Sequence, residues 1–517
     1  MDTADITTAA APQRSLILAG GGMRVAYQAG VVKALVESGL EFQHADGTSG
    51  GTMNLAMLLS GLSPDAMCDN WRSLDVHRFA SLLPLPEYIR PWDMTGLGGA
   101  GGIRDYVFPH LGIDCAKING AQTMAGTFNL CNYSRKVSEV VPHDNVTLDH
   151  LVAGISLPIF MPAVEINGDW YTDSVWIKDA NLIEAVRRGS EELWLIWCIG
   201  NEHDYKAGAF NQYVHMIEMS ANGHLFDEFQ QIEELNQRIQ RGDSPYGQRG
   251  PIRLHVIRPL YPLPLDPDFF LGRITADTLI AMGYADAKRY LEQERTPAGV
   301  ALTPDATRMQ SAGAGIAFRE VMAGGLTLGI QDPQAGHDTA ARTGAAFTLH
   351  ASIAIPDMAR FAADPQHNGQ LFGEISYPPF GAGIVGKNGV FRLFAPSGQP
   401  GLQWMVYELG FEHDGKDYYM AGKKLVRDGP VLDAWKETTT LYTTLHQGRD
   451  GSGPIVGAGI LTLAIPELIN LVRSLHATGV STVEDKTAAV DQFGRFFLRE
   501  LWDTYGSHLY KRAEGAS

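Results

Sequence analysis

Two glycine clusters near the N-terminus constrain this chain more than anything else in it. Gly20-Gly21-Gly22 follows the apolar run Ser15-Leu16-Ile17-Leu18-Ala19, and Gly47-Thr48-Ser49-Gly50-Gly51 follows Phe42 to Asp46. The first run has the length and apolarity of a buried strand. Behind the triple glycine, Ala26, Gly30, Val31, Ala34 and Leu35 recur at helical spacing up to Ser38-Gly39, where glycine can supply a left-handed stop. Behind the second cluster, Leu55, Met57, Leu58 and Leu59 mark another helix. Strand, glycine loop and helix, twice over, predict the front of a parallel α/β layer. Three bare glycines let backbone N–H groups point at an anion beside the positive end of a helix. A serine on a tight strand-to-helix turn needs small neighbours on both sides, which Gly47, Gly50 and Gly51 provide.

With 57 glycines in the chain, a G-x-S-x-G match on its own is weak, since an ordinary Gly/Ser turn reads the same way. The triple glycine one strand–helix unit upstream gives it weight.

At 517 residues the chain is too long for one ordinary core, so two domains are expected. Its 45% hydrophobic and 19% charged content is that of a folded globular protein. The formal net charge of -17 argues against a nucleic-acid surface and against electrostatic docking on anionic lipid, so any transient membrane contact would have to be apolar. Cys68, Cys115, Cys131 and Cys198 form no CxxC pair, which points to reduced thiols and away from disulfides or zinc. The first fourteen residues lack the basic start and apolar run of a secretory leader, and no stretch is long and apolar enough to span a membrane. These features predict a cytoplasmic protein, at most peripheral to a membrane; they leave the oligomeric state and export by a signal-less route open.

Further along, Pro64 to Gly102 is rich in Pro, Gly and Trp and reads as an irregular connection or a cap. Met124–Cys131 reads as a strand, Leu148–Ile155 as a short helix, and Asn167-Gly168 as a hairpin turn that places Asp173 at the exit of a strand. Leu193–Ile199 and Ile252–Ile257 suit buried parallel strands. Leu225, Phe229, Ile232, Leu235 and Ile239 make one helix face, and Leu279 to Leu291 another. Residues 296–315 read as a linker. Strict alternation then begins, with Phe347, Leu349, Ala351, Ile353 and Ile355, and later Met405, Tyr407, Leu409 and Phe411, while Asn388-Gly389 and Asp414-Gly415 stand as hairpin turns. The expected organisation is a flexible stretch 1–14, an α/β domain 15–295, a linker 296–315 and a β-rich accessory domain 316–517. That last domain would be an antiparallel barrel or sandwich closed by a helix over Thr482–Tyr510.

GGGMRVAYQAG at Gly20–Gly30, together with GTSGG at Gly47–Gly51, resembles the patatin-like phospholipase family in its bacterial form. SLPIFMP at Ser156–Pro162 and YTDSV at Tyr171–Val175 continue the resemblance, which covers about the first 300 residues. It implies a parallel-sheet three-layer α/β domain that hydrolyses acyl esters of lipids with a Ser–Asp dyad and no metal or other cofactor. Carried across, Ser49 is the nucleophile and Asp173 the general base. The backbone of Gly20, Gly21 and Gly22 forms the oxyanion hole, with Arg24 and Gly50 in support.

A serine hydroxyl is a poor nucleophile until a base takes its proton, and an aspartate near its usual pKa of about 3.9 is a weak base unless burial raises it. Two departures from the family pattern bear on this. Asp173 is followed by Ser174-Val175 where Gly-Gly is usual, and Val25 replaces the usual glycine after Arg24. If those glycines are needed to bring base and nucleophile together, the substitutions displace Asp173 or narrow the cleft. The reading that follows from such displacement is a non-catalytic lipid-binding or scaffold protein. Asp169 is a nearby carboxylate that ranks below Asp173.

An α/β-hydrolase esterase would also use G-x-S-x-G, but its elbow follows several strands, and only one strand–helix unit precedes Ser49. Gly20-x-Gly22-x-x-Val25 lacks the third glycine of a dinucleotide fingerprint, and no Gly-Lys-Ser/Thr follows as in a P-loop. FREVMAG at Phe318–Gly324 and the later LFGEISYPPFG bear a weaker resemblance to a segment that accompanies sterol-oxidase-type (GMC) flavoproteins, without their flavin site. His350, His367 and His413 form no ligand-spaced cluster.

Overall fold

The computed structural model describes residues 12–79, 96, 98–293, 298–427, 438–480 and 482–501. The expectations for residues 1–11, for Trp92 within the 64–102 connection, and for the end of the closing helix beyond 501 lie outside these residues. The described residues fall into two compact units interleaved in sequence. Met1–Glu202, Ala207–Leu263 and Tyr290–Met309 give the first; His203–Lys206, Pro264–Arg289 and Gln310–Ser517 give the second.

In the first unit, strands β1 (Arg14–Leu18), β2 (His44–Thr48), β3 (Ala125–Asn132), β4 (Val137–Pro142), β5 (Val164–Ile166), β6 (Asp169–Asp173), β7 (Glu192–Ile196) and β8 (Arg253–Ile257) form one mixed sheet. Its order is β5-β6-β3-β2-β1-β7-β8, with β4 paired to β3. The central pairs β3/β2, β2/β1, β1/β7 and β7/β8 are parallel, while β4, β5 and β6 run antiparallel at one edge. Parallel strands covered on both faces should be continuously apolar or internally satisfied. Leu16, Ile17, Leu18, Leu193, Leu195 and Ile196 are buried accordingly. β2 is the exception, with His44, Asp46 and Thr48 all buried in the middle of the sheet.

Helices Ala26–Glu37 and Gly51–Leu59 follow β1 and β2 as the glycine clusters predict, and Gly39 takes φ 78° at the end of the first. The 64–102 connection is less irregular than its composition suggests. Ser63 caps a helix over Pro64–Ser73, and the indole of buried Trp71 donates to Asn54 Oδ1 at 2.8 Å. A long helix, Ala209–Gln240, begins well before the apolar face that announces it. Asn167 and Gly168, both at positive φ, turn β5 into β6. Of the stretch expected as a linker, Val300 bridges Leu254 and the part up to Met309 belongs with the first unit, whereas the part from Gln310 belongs with the second, as do Pro264–Arg289 of the expected α/β domain.

The second unit is built on β9 (Gly315–Leu328), β10 (Ala346–Ile355), β11 (Asn368–Tyr377), β12 (Gly381–Val385), β13 (Lys387–Pro396), β14 (Leu402–His413), β15 (Lys416–Arg427), β16 (Thr440–Gln447), β17 (Ile455–Thr462) and β18 (His476–Thr478). β9 pairs antiparallel with both β10 and β17, so eight strands close into a barrel, with β12 and β18 attached to β11 and β9. Closure settles the choice between barrel and sandwich. The alternating residues Phe347, Leu349, Ala351, Ile353 and Ile355 on β10, and Met405, Tyr407, Leu409 and Phe411 on β14, are buried in its core. Asp414-Gly415 is a hairpin turn at positive φ, as expected.

Asn388-Gly389 is not a turn. It lies inside β13, where the register with β14 slips between Lys387 and Val390, so the positive φ of Asn388 (54°) serves a bulge. Helix Val483–Leu501 packs Ala489, Phe493, Phe496 and Phe497 against the barrel core. Inside that apolar core sit Lys424 and Glu320, 3.5 Å apart, with Lys424 also donating to Tyr407 Oη at 3.2 Å. Among the described residues no helix is long and apolar enough to cross a membrane.

Candidate active site

The first unit brings together the end of β1, the end of β2 and the end of β6. Ser49 leaves β2 with φ 51°, a left-handed conformation that costs a non-glycine residue about 1–3 kcal/mol and is held only where the surroundings demand it. The demand is steric. A Cβ on Gly51 would overlap the Leu18 carbonyl oxygen, and one on Gly47 would lie 3.0 Å from Leu55. The helix after Ser49 is thus pressed directly onto the end of β1.

Behind this turn runs a chain of buried polar contacts. Gln28 Nε2 donates to the Ala19 carbonyl at 2.6 Å, and Asn54 Nδ2 donates to Gln28 Oε1 at 2.9 Å and to the Val25 carbonyl at 2.8 Å. Both helices are thereby tied to the start of the glycine loop.

Asp173 ends β6, its own N–H donating to the Ser156 carbonyl at 3.0 Å. Its side chain faces the serine: Ser49 Oγ donates to Asp173 Oδ2 at 2.5 Å, and Val175 N–H donates to Oδ1 at 2.9 Å. Ser174 and Val175 do not push the acid aside. They form a short 3-10 turn that Asp173 caps, with Val175 itself buried. Asp173 is 1% exposed, and burial pushes its carboxyl up to about 7 against the opposing pull of the Ser49 and Val175 hydrogen bonds. Asp169 is elsewhere, accepting from Arg135 at 2.8 Å and from Asn132 at 3.0 Å.

The three glycines are not equivalent. Gly20 N–H donates to Asp179 Oδ2 at 3.1 Å, so it is not free for a ligand. Gly21 and Gly22 open the 3-10 turn Gly22–Val25, and among the described residues their N–H groups have no hydrogen-bonding partner. Gly22 has φ 58°. The Arg24 guanidinium turns back to the Gly21 carbonyl at 2.9 Å and braces the loop from within the turn. Gly50 sits where Val25 and the loop press closest. Asp179 has no motif of its own, and only its contact with Gly20 across the fold reveals it.

The loop carrying Asp173 and Asp179 is anchored from below. Asn181 caps helix Leu182–Arg187 and donates to Asn129 Oδ1 at 2.8 Å; Asn129 in turn donates to Asp46 Oδ1 at 2.5 Å and Thr48 Oγ1 at 2.9 Å. Lys178 reaches Asn181 and the buried Glu228. Burial also pushes Asp46 up to about 7, and holds neighbouring His44, bonded to Ser15 and Thr127, down to about 3.

Beside the dyad stand aromatic rings. Phe160 and Trp176 each meet Tyr213 edge-on at 5.6 Å, and Tyr213 donates to the Pro158 carbonyl at 2.9 Å. Burial and the Asp173 charge push the Tyr213 phenol up to about 12. Ile159, next to Phe160 in sequence, is 61% exposed at φ 78°. Among the described residues no group of three or more His, Cys, Asp or Glu side chains could hold a metal ion.

A family model described as patatin-like phospholipase matches residues 16–186, a span that includes both glycine clusters, Ser49, Asp173 and Asp179. Among solved structures, VipD from Legionella pneumophila is similar at 10% identity and a TM-score of 0.31, over 54% of this chain and 66% of that one. No curated protein matches. Nothing in these matches bears on the likeness of the barrel to a flavoprotein-associated segment. Residues 16–186 are a patatin-like phospholipase domain.

Proposed function

We propose that this protein is a serine lipid acyl hydrolase, of phospholipase A or lysophospholipase type, working through a Ser49–Asp173 dyad and an acyl-enzyme. The observation that carries the reading is the 2.5 Å hydrogen bond from Ser49 Oγ to a buried Asp173, a pair that bonds no histidine among the described residues.

In the first half-reaction Asp173 Oδ2 takes the hydroxyl proton as Ser49 Oγ attacks the ester carbonyl carbon. The oxygen of that carbonyl gains the negative charge, and in this reading the N–H groups of Gly21 and Gly22 receive it, each worth about 3 kcal/mol by analogy with other oxyanion donors. Collapse breaks the ester bond, and the proton held on Asp173 passes to the departing alcohol. Water then enters and gives its proton to Asp173 as its oxygen attacks the acyl-enzyme. Ser49 leaves with that proton and the fatty acid is released. A carboxyl titrating near 7 suits both directions of transfer, since a general base works best with a pKa close to the working pH. The rings of Phe160, Trp176 and Tyr213 offer an apolar wall for the acyl chain. Exposed Ile159 offers the kind of apolar contact with a lipid surface that a net charge of -17 permits.

A fluorophosphonate probe tests the reading. Labelling of the folded protein that disappears in Ser49→Ala is the expected result. No labelling of wild type would favour a non-catalytic lipid-binding protein. Loss of ester hydrolysis in Asp173→Asn, with hydrolysis kept when each histidine is replaced, separates a dyad from a triad.

A further inference from the structure

Asp179 is a carboxyl group only 1% exposed, and half of its hydrogen-bonding capacity is unused. Oδ2 accepts the Gly20 N–H at 3.1 Å, while Oδ1 has no hydrogen-bonding partner among the described residues. Such a buried orphan is expensive unless it has a use. Its position is informative. A Cβ placed on Gly20 would overlap Asp179 Oδ1 and lie 2.9 Å from Ser49 Cβ, so the carboxyl is packed against the glycine α-carbon on the side that faces the nucleophile.

The groups that act on it electrostatically are Asp173, from the end of β6, and Arg24, from the turn after the glycines; it acts in turn on the buried Cys198 thiol beyond β7. Burial and then the Asp173 charge push its carboxyl well above the usual range, and the Gly20 N–H and Arg24 only partly oppose them. Two carboxylates in one dry site do not both ionise readily.

Resting on the reading of Ser49 and Asp173 as the dyad, we propose that Asp179 is a positioning residue that, uncharged, clamps Gly20 N–H and so turns the Gly21 and Gly22 donors toward the acyl oxygen. No proton is transferred in this role. Ionisation of Asp179 would place a second negative charge beside the developing oxyanion, so the rate falls on the alkaline side.

The test compares Asp179→Ala, Asp179→Asn and Ser49→Ala against wild type with a short-chain p-nitrophenyl ester over pH 6 to 10. Asp179→Ala is expected to lower kcat by about 30-fold or more with KM changed by no more than about threefold, as loss of a transition-state donor does. Asp179→Asn keeps an acceptor for Gly20 N–H and cannot ionise. It should recover most of the alanine loss and show no alkaline decline from this group. An alanine variant with wild-type kcat overturns the proposal, as does an asparagine variant as impaired as alanine or one whose alkaline limb matches wild type. Should alanine fail to fold in a thermal melt, the asparagine profile decides alone. If Ser49→Ala keeps its activity, the dyad itself falls; if Ser49→Ala is dead while Asp179→Ala is fully active, only the clamp falls.

Discussion

Val25 packs its methyl groups against the α-carbon of Gly50: a Cβ there would come within 2.8 Å of Val25 Cγ1 and would overlap the Gly22 carbonyl oxygen. Gly50→Ala must therefore push the glycine loop away from the serine. A destabilisation of about 1–3 kcal/mol in urea unfolding is expected, together with loss of fluorophosphonate labelling. Because the overlap with Gly22 is with backbone, adding Val25→Gly should return less than half of the stability. Full recovery would mean that the valine alone set the constraint.

The Asp173 carboxyl gives stability a definite pH dependence. In the unfolded chain it loses its proton near the usual aspartate value of 3.8, whereas in the folded protein it keeps the proton up to about 7. Between those values the folded state binds the extra proton, so stability falls as pH rises, by at most about 1.4 kcal/mol per pH unit, and levels off above about 7. Asp173→Asn lacks this proton. Its stability relative to wild type should climb from pH 4 to pH 7 and then stay flat in urea melts; a difference independent of pH would refute the assignment. Under the proposed mechanism, wild-type kcat/KM should rise with pH through about 7 as the base form appears.

Lys424 and Glu320 are 3% exposed or less inside the barrel, and Glu320 Oε1 is without a partner among the described residues. Removing one charge leaves the other buried and uncompensated. Lys424→Met is expected to destabilise by about 3–5 kcal/mol, and the double change Lys424→Met with Glu320→Leu to recover most of it. Denaturant unfolding of the two singles and the double gives the coupling directly, and additive losses would show that the pair does not interact.

Ile159 holds a left-handed φ of 78° with a β-branched side chain and is 61% exposed. Ile159→Gly should relieve about 1–2 kcal/mol of backbone strain at little packing cost. Under the proposed function the same change should weaken hydrolysis of vesicle lipid more than that of a soluble ester. Equal effects on both substrates would remove Ile159 from any lipid contact.

Legibility of the fold divides along local and non-local lines. The strand–glycine–helix units, the Asn167-Gly168 hairpin and the alternating barrel strands rest on neighbours in sequence, and their residues announce them. Asp179 was invisible because nothing in Lys178-Asp179-Ala180 marks it. Its contact is with Gly20, 159 positions away. Asn388-Gly389 was misleading for a physical reason: a hairpin turn and a bulge both require positive φ, and only the pairing partner tells them apart. The long helix from Ala209 opens with a mixed stretch in which Tyr213 meets Trp176 while Met216 and Met219 are exposed, so periodicity announces only its later half. Gly20 stands alongside Gly21 and Gly22 in the linear pattern, and only the fold shows that its N–H is bonded to Asp179.

The seam of the barrel has a temporal consequence. β9 comes first in the strand order, yet Thr462 of β17 must reach back 139 residues to lie beside Ala323 before the sheet has no edge. During synthesis, β9 therefore emerges with one flank unsatisfied until nearly the whole barrel has left the ribosome. High contact order of this kind predicts slow closure and a long interval in which that flank can pair with the wrong strand.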